Sequence, residues 1–225
     1  MCRLLLVRNV EAMSPLPYLK AFQQVARDSN EYQGHGWGCC WLDSQNNWQF
    51  HHTIRPVWED DRDDFPDTRL FLAHARSAFR DEGIQVENNM PFTDGHRVFL
   101  FNGELRGVKV KAEGRIGAEK LFNYVKRFDK GDFAAAVNKG VEVIKKRSQY
   151  IRAMNFFVAD SDRIQICSEF NEHPEYFQMQ QTYFGQTQVI CSKAFSMDQH
   201  SSWQPIDNHS TFDFPVNQPG VDPVK

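Results

Sequence analysis

Apolar positions along the chain fall into short runs separated by polar turns, with three longer stretches at helical spacing. Cys2 to Val7 reads as a buried strand. Pro15 to Asp28 carries Leu16, Tyr18, Leu19, Phe22 and Val25 near helical spacing behind Ser14, and predicts a helix. Gly36 to Leu42 and Trp48 to His52 predict a strand pair across the polar turn DSQNN. Leu70 to Ala75 and Arg97 to Phe101 are further strands, the second ending abruptly at Asn102-Gly103. Gly117 to Phe128 and Phe133 to Lys146 predict two helices, the first with Ala118, Leu121, Phe122 and Val125 on one face. The pattern then returns to strands at Asn155–Ala159, Arg163–Cys167, Tyr176–Gln180 and Gln188–Cys191.

The 225 residues fit one domain or two small ones. Strands, two helices and more strands, with no internal repeat or linker, predict a single mixed domain over 1–225. An extended tail is expected from about residue 205, where four prolines begin. Hydrophobic residues make up 41% and charged residues 24%, enough for a sizeable core, and the 19 Phe residues read mainly as part of it. A net charge of −3 with scattered basic residues argues against nucleic acid as a partner. No stretch approaches the length that crosses a membrane, and LLLV is too short for a signal peptide. Five cysteines without CxxC spacing argue for reduced thiols in a cytoplasmic protein over disulfides or zinc. The acidic stretch Trp58–Asp67 reads as a solvated loop before it reads as a metal site.

Chemistry enters at three strand ends and at the first strand's start. In FNGEL, Asn102-Gly103 has two readings. It is a favoured hairpin turn pair, or an oxyanion hole in which the Asn amide and the Gly N–H donate to a developing oxyanion. Arg76, in HARSAF, either pairs with a protein carboxylate or grips a substrate carboxylate with its planar fork. His74 reads as a structural histidine before it reads as a base. Cys2 is either a small buried residue of the first strand or a nucleophile. Removal of Met1 would expose its α-amine, whose unperturbed pKa of about 7.7–8.0 suits a general base.

Taken in order, these segments resemble the class II glutamine amidotransferases, the N-terminal-nucleophile hydrolases with a leading cysteine. The resemblance rests on MCR at the start, Gly36-Trp37-Gly38 for a DGWG-like segment, and His74-Ala75-Arg76 for H-x-R. It continues with Asn88 through Pro91-Phe92 for N-T-H-P-F and Asn102-Gly103-Glu104-Leu105 for N-G-x-L, with looser matches at Met154-Asn155-Phe156 and Ile190-Cys191-Ser192. It implies an α+β fold, a four-layer α/β/β/α sandwich with two mostly antiparallel sheets. It implies Cys2 as nucleophile, Asn102 and Gly103 as oxyanion hole, and Arg76 as the α-carboxylate site. Gly36, Trp37 and His74 would line the substrate pocket. No metal and no organic cofactor are implied.

The sequence also departs from the family pattern. His35 stands where an acid is usual before G-W-G, Asn89 and Met90 replace Thr-His, and Lys193 replaces the acid after Ser192. The Asp of a T-D-S-E segment, which holds the amino group of glutamine, aligns with Gly117. The site then favours a γ-amide whose amino group is acylated, absent or left in solvent, unless another carboxylate, such as Asp94 or Glu119, enters the pocket in its place. The resemblance therefore supports a stand-alone hydrolase of a small-molecule amide, glutamine or a γ-glutamyl amide. The alternatives are a glutaminase subunit delivering ammonia to a separate synthase partner, and a non-catalytic binding domain that kept the fold.

Overall fold

The computed structural model describes residues 1–197 and 202–218. In chain order the elements are β1 (Arg3–Met13), α1 (Leu16–Arg27), β2 (Trp37–Leu42), β3 (Trp48–Thr53), β4 (Thr68–Ala75), β5 (Phe92–Thr93) and β6 (Val98–Arg106). There follow α2 (Gly117–Lys126), α3 (Phe133–Arg147), β7 (Tyr150–Ala159), β8 (Arg163–Ser168) and a single-turn α4 (Pro174–Phe177). The last strands are β9 (Gln180–Phe184), β10 (Thr187–Cys191), β11 (Gln204–Pro205) and β12 (Ser210–Pro215). One sheet has the order β11-β9-β10-β1-β4-β2-β3 and the other β12-β8-β7-β6-β5. Every strand pairing described is antiparallel.

Alternation along the central strands explains the layers. In β1, Leu5 and Val7 face α1 with Phe71 and Ala73 of β4, while Leu4 and Leu6 face the second sheet with Leu70 and Leu72. In β6, Val98 and Leu100 meet them between the sheets, and Phe99 and Phe101 turn outward to α2 and α3. Strands covered on both faces read as continuous apolar runs instead of alternating ones. The result is the four-layer α/β/β/α sandwich, with α1 on one sheet and α2 and α3 on the other.

Three sequence expectations are corrected. β6 does not end at Asn102-Gly103: the strand runs through to Arg106, pairing Asn102 with Asn155 and Gly103 with Met154. The pair is therefore not a hairpin turn. Tyr176–Gln180 is not a strand. Pro174 opens a short helix there, with His173 in the left-handed region before it, and Tyr176 and Phe177 both bury their rings. The region from 205 is not only an extended tail, because β12 pairs along β8 from Ser210↔Ser168 to Pro215↔Arg163. Residues 219–225, also assigned to the tail, lie outside the described residues.

Candidate active site

Sheet register brings the separate motifs to one end of the molecule. Arg3 pairs with Ala75, so Cys2 and Arg76 are the next residues outward on neighbouring strands. Trp37 pairs with the same Ala75, and the Arg76 N–H donates to the Gly36 carbonyl at 2.9 Å. From the second sheet, Gly103 approaches the backbone of β7 so closely that an added Cβ would sit 2.1 Å from the Ala153 carbonyl oxygen. Only glycine fits there. A cavity of about 1090 Å³ results, lined by Cys2, Arg76, Ser77, Gly103, Glu104 and Gly117 among others.

Of the five cysteines, only Cys2 is not fully buried. The Ser77 N–H donates to its sulfur at 3.4 Å. Burial pushes the Cys2 thiol up, and the positive chain terminus, the Ser77 N–H and Arg76 offset this only in part. The thiol is therefore protonated near neutral pH and would need a base to act as a nucleophile.

Arg76 is 5% exposed, and its recorded partners are neutral oxygens: Asn89 Oδ1 at 3.3 Å and the Gly83 carbonyl at 2.9 Å. These hold the guanidinium in place without neutralising it. Asn89 is fixed in turn by donating to the Thr53 carbonyl at 2.7 Å. Asn102, between Phe101 and Gly103 of the cavity wall, is itself buried and outside the lining, with an amide oxygen that has no partner among the described residues.

Trp37, Gly36 and His74 also lie outside the cavity lining. Trp37 is fully buried in the core beneath α1, and its indole N–H donates to Asp60 at 3.0 Å. Burial works against the Asp60 carboxylate, but hydrogen bonds from His51, Trp37 and the Arg62 N–H outweigh it and hold its pKa below the usual range. One acid of the supposedly solvated loop is thus a structural anchor. Gly36 adopts φ +103°, a conformation glycine tolerates, and it connects to the site through backbone pairing. His74 is fully buried, and burial, then the Arg76 charge, push its pKa down to about 3. His35, at the position usual for an acid, accepts the Ala78 N–H at 2.8 Å and faces Asp81 at 3.4 Å, which ties down the loop after Arg76.

Gly117 opens α2 at the cavity wall, and a Cβ added there would meet nothing within 4 Å. Neither proposed substitute acid lines the cavity. Glu119 is held by Arg115 at 2.7 Å, and Asp94 accepts from the Arg97 and His96 N–H groups and faces Lys126 at 3.5 Å.

Sequence reading missed the seat of residue 1. Met1 packs against Phe170, Tyr176, Phe177 and Ala153. Its amine pairs with Glu31, and its carbonyl accepts from Gln33 Nε2 and the Tyr176 hydroxyl. No motif carries these partners, because α4 and the loop after α1 reach the site only through folding.

No protein-family model matches the chain, and no curated protein sequence does. Solved structures do match. Glutamine phosphoribosylpyrophosphate amidotransferase from B. subtilis aligns with a TM-score of 0.70 at 11% identity, over 96% of this chain and 49% of that one. A glutamine aminotransferase class-II domain protein from Silicibacter pomeroyi aligns at 0.61 and 13% identity, over 95% of both chains. A predicted glutamine amidotransferase from Pseudomonas aeruginosa aligns at 0.58 and 13% identity, over 98% of this chain and 100% of that one. The fold is that of these class II glutamine amidotransferase domains. The chain spans about half the B. subtilis enzyme and nearly the full length of the other two. Among the described residues no helix is long and apolar enough to cross a membrane.

Proposed function

We propose that the chain is a single-domain amidohydrolase of the glutamine amidotransferase type, cleaving a glutamine or γ-glutamyl side-chain amide through a Cys2 thioester. The observation that carries this is the meeting of Cys2, Arg76 and Gly103, from three different strands' ends and middles, in one cavity. With Met1 removed, the Cys2 amine takes the Sγ proton and the thiolate attacks the amide carbon. Asn102 and the Gly103 N–H stabilise the oxyanion. The proton passes to the leaving nitrogen, and water, deprotonated by the same amine, releases the acid from the thioester. Arg76 holds the substrate's α-carboxylate.

A second reading is an ammonia-supplying glutaminase subunit. It is favoured by the neighbours about twice as long as this chain, in which the matched domain is joined to a further part. The two full-length neighbours favour the stand-alone reading.

The test is the mass of the intact protein after incubation with a diazoketone analogue of glutamine. A single adduct on residue 2, with Met1 absent, supports the reading. An unmodified Cys2 with the pocket intact would instead favour a binding domain.

A further inference from the structure

The carbonyl of Met1 belongs to the same planar peptide unit as the Cys2 nitrogen. Two buried donors are aimed at that unit. Tyr176, 8% exposed, donates its hydroxyl to the Met1 carbonyl, and so does Gln33, which is fully buried. Glu31 holds the amine one residue earlier. The group is braced from behind. Gln33 Nε2, whose two hydrogens are shared among its acceptors, also lies 2.8 Å from the Glu31 carbonyl and 3.1 Å from the Tyr176 hydroxyl, and Ser29 Oγ lies 3.3 Å from that hydroxyl. Arg3 stacks on the Tyr176 ring at 3.8 Å and donates to the Tyr176 carbonyl at 3.1 Å. A terminus that needed only solvation would not require this enclosure.

We propose that Tyr176 and Glu31 are positioning residues for the α-amine of Cys2 once residue 1 has been removed. This rests on the thioester reading above. Hydrolysis of the Met1–Cys2 bond takes away the carbonyl and leaves an amine nitrogen in its peptide plane. The Tyr176 hydroxyl then turns its proton to Ser29 Oγ and accepts one amine N–H. The Glu31 carboxylate, released from the Met1 amine, accepts another. With the Met1 carbonyl gone, the two Gln33 amide hydrogens go to the Glu31 carbonyl and the Tyr176 oxygen, so Gln33 keeps the hydroxyl in place. With its N–H bonds held on this side, the amine directs its lone pair to Sγ, receives the thiol proton and becomes an ammonium. Glu31 and Tyr176 both favour that ammonium. Arg76 and Arg152 oppose it; Arg152 lies 3.6 Å from Glu31 and 3.7 Å from Glu104. His74, kept neutral by burial, adds no charge.

The experiment uses Tyr176→Phe and Glu31→Gln in the full chain, with Met1 loss verified by intact mass. Two readouts are taken: the pH dependence of kcat/KM on a γ-glutamyl amide, and the pH dependence of Cys2 alkylation by iodoacetamide, which needs no substrate. Each variant should lower kcat about tenfold or more through a misplaced base, with KM within about twofold. Each should move the acidic limb of both profiles to lower pH by about half a unit or more, because an acceptor for the ammonium is gone. Variants that fold, lose Met1 and are alkylated at Cys2 with both limbs unmoved would overturn this inference and leave the thioester reading standing. Retention of Met1 in active protein, or no reaction of Cys2 with the diazoketone, would overturn both.

Discussion

The backbone N–H of Ser77 points at the sulfur of Cys2 from 3.4 Å, although 75 residues separate the two. The contact exists because β1 and β4 are hydrogen-bonded neighbours whose registered ends place Cys2 beside the turn after Arg76. It gives the thiol a single weak donor, too little to ionise it against burial. A separate base is therefore needed, and Cys2→Ala should abolish amide hydrolysis while leaving the circular dichroism spectrum and Tm close to wild type. Wild-type turnover by that variant would exclude the thioester.

Asn102→Ala should lower kcat by about 10² or more with little change in KM, since an oxyanion donor acts only in the transition state. Asn102 is buried, so thermal melting should accompany the kinetics. A loss of kcat that tracks a collapse in Tm would assign Asn102 a structural role alone.

Arg76→Ala should act mainly on KM, by about 2–4 kcal/mol of lost charge-assisted binding. Gly83 and Asn89 lose a donor as well, so a modest fall in Tm is expected. An unchanged KM for a carboxylate-bearing amide would show that Arg76 only braces its loop.

At Gly117 the geometry permits a direct test, because the added side chain meets open space. Free glutamine carries an ammonium; Glu119 and Asp94 are engaged elsewhere, and Glu31 and Glu104 of the cavity wall already face Arg152. An unpaired ammonium in the site is costly. Gly117→Asp should therefore raise kcat/KM for glutamine by about tenfold, a gain of roughly 1.4 kcal/mol, and change an N-acyl glutamine amide little. Equal responses of the two substrates would show that the substrate amine is held by another group or left in water.

His74 links stability to pH. Its folded pKa of about 3 lies below the 6.5 of an exposed imidazole. Between these values the unfolded chain binds more protons, so stability is full above about 6.5 and falls as pH drops toward 3, by up to roughly 1.4 kcal/mol per unit. Urea unfolding at pH 7, 5.5 and 4.5 should show this loss, and His74→Leu should flatten the slope over that range. A slope unchanged in the variant would move the acid sensitivity to the carboxylates.

Much of this arrangement was legible in the sequence. Leu4 to Val7, Leu70 to Ala75 and Val98 to Phe101 read as buried strands because apolar residues on both pleat faces leave no other stable place for them. The α1, α2 and α3 helices followed from spacing of 3.6, and their ends were found to within two residues. Cys2, Arg76 and Gly103 were recognisable as site candidates because their residue types carry the chemistry and their motifs keep order along the chain. Only the tertiary structure decided which candidates share a cavity. Trp37 belongs to a motif yet faces the core beneath α1, because alternation along β2 sends it there. Asn102-Gly103 reads locally as a turn, and pairing with Asn155 and Met154 keeps it in a strand. Tyr176 and Glu31 carry no signal, since their place beside residue 1 depends on long-range packing of α4 and the loop after α1, which no local pattern encodes.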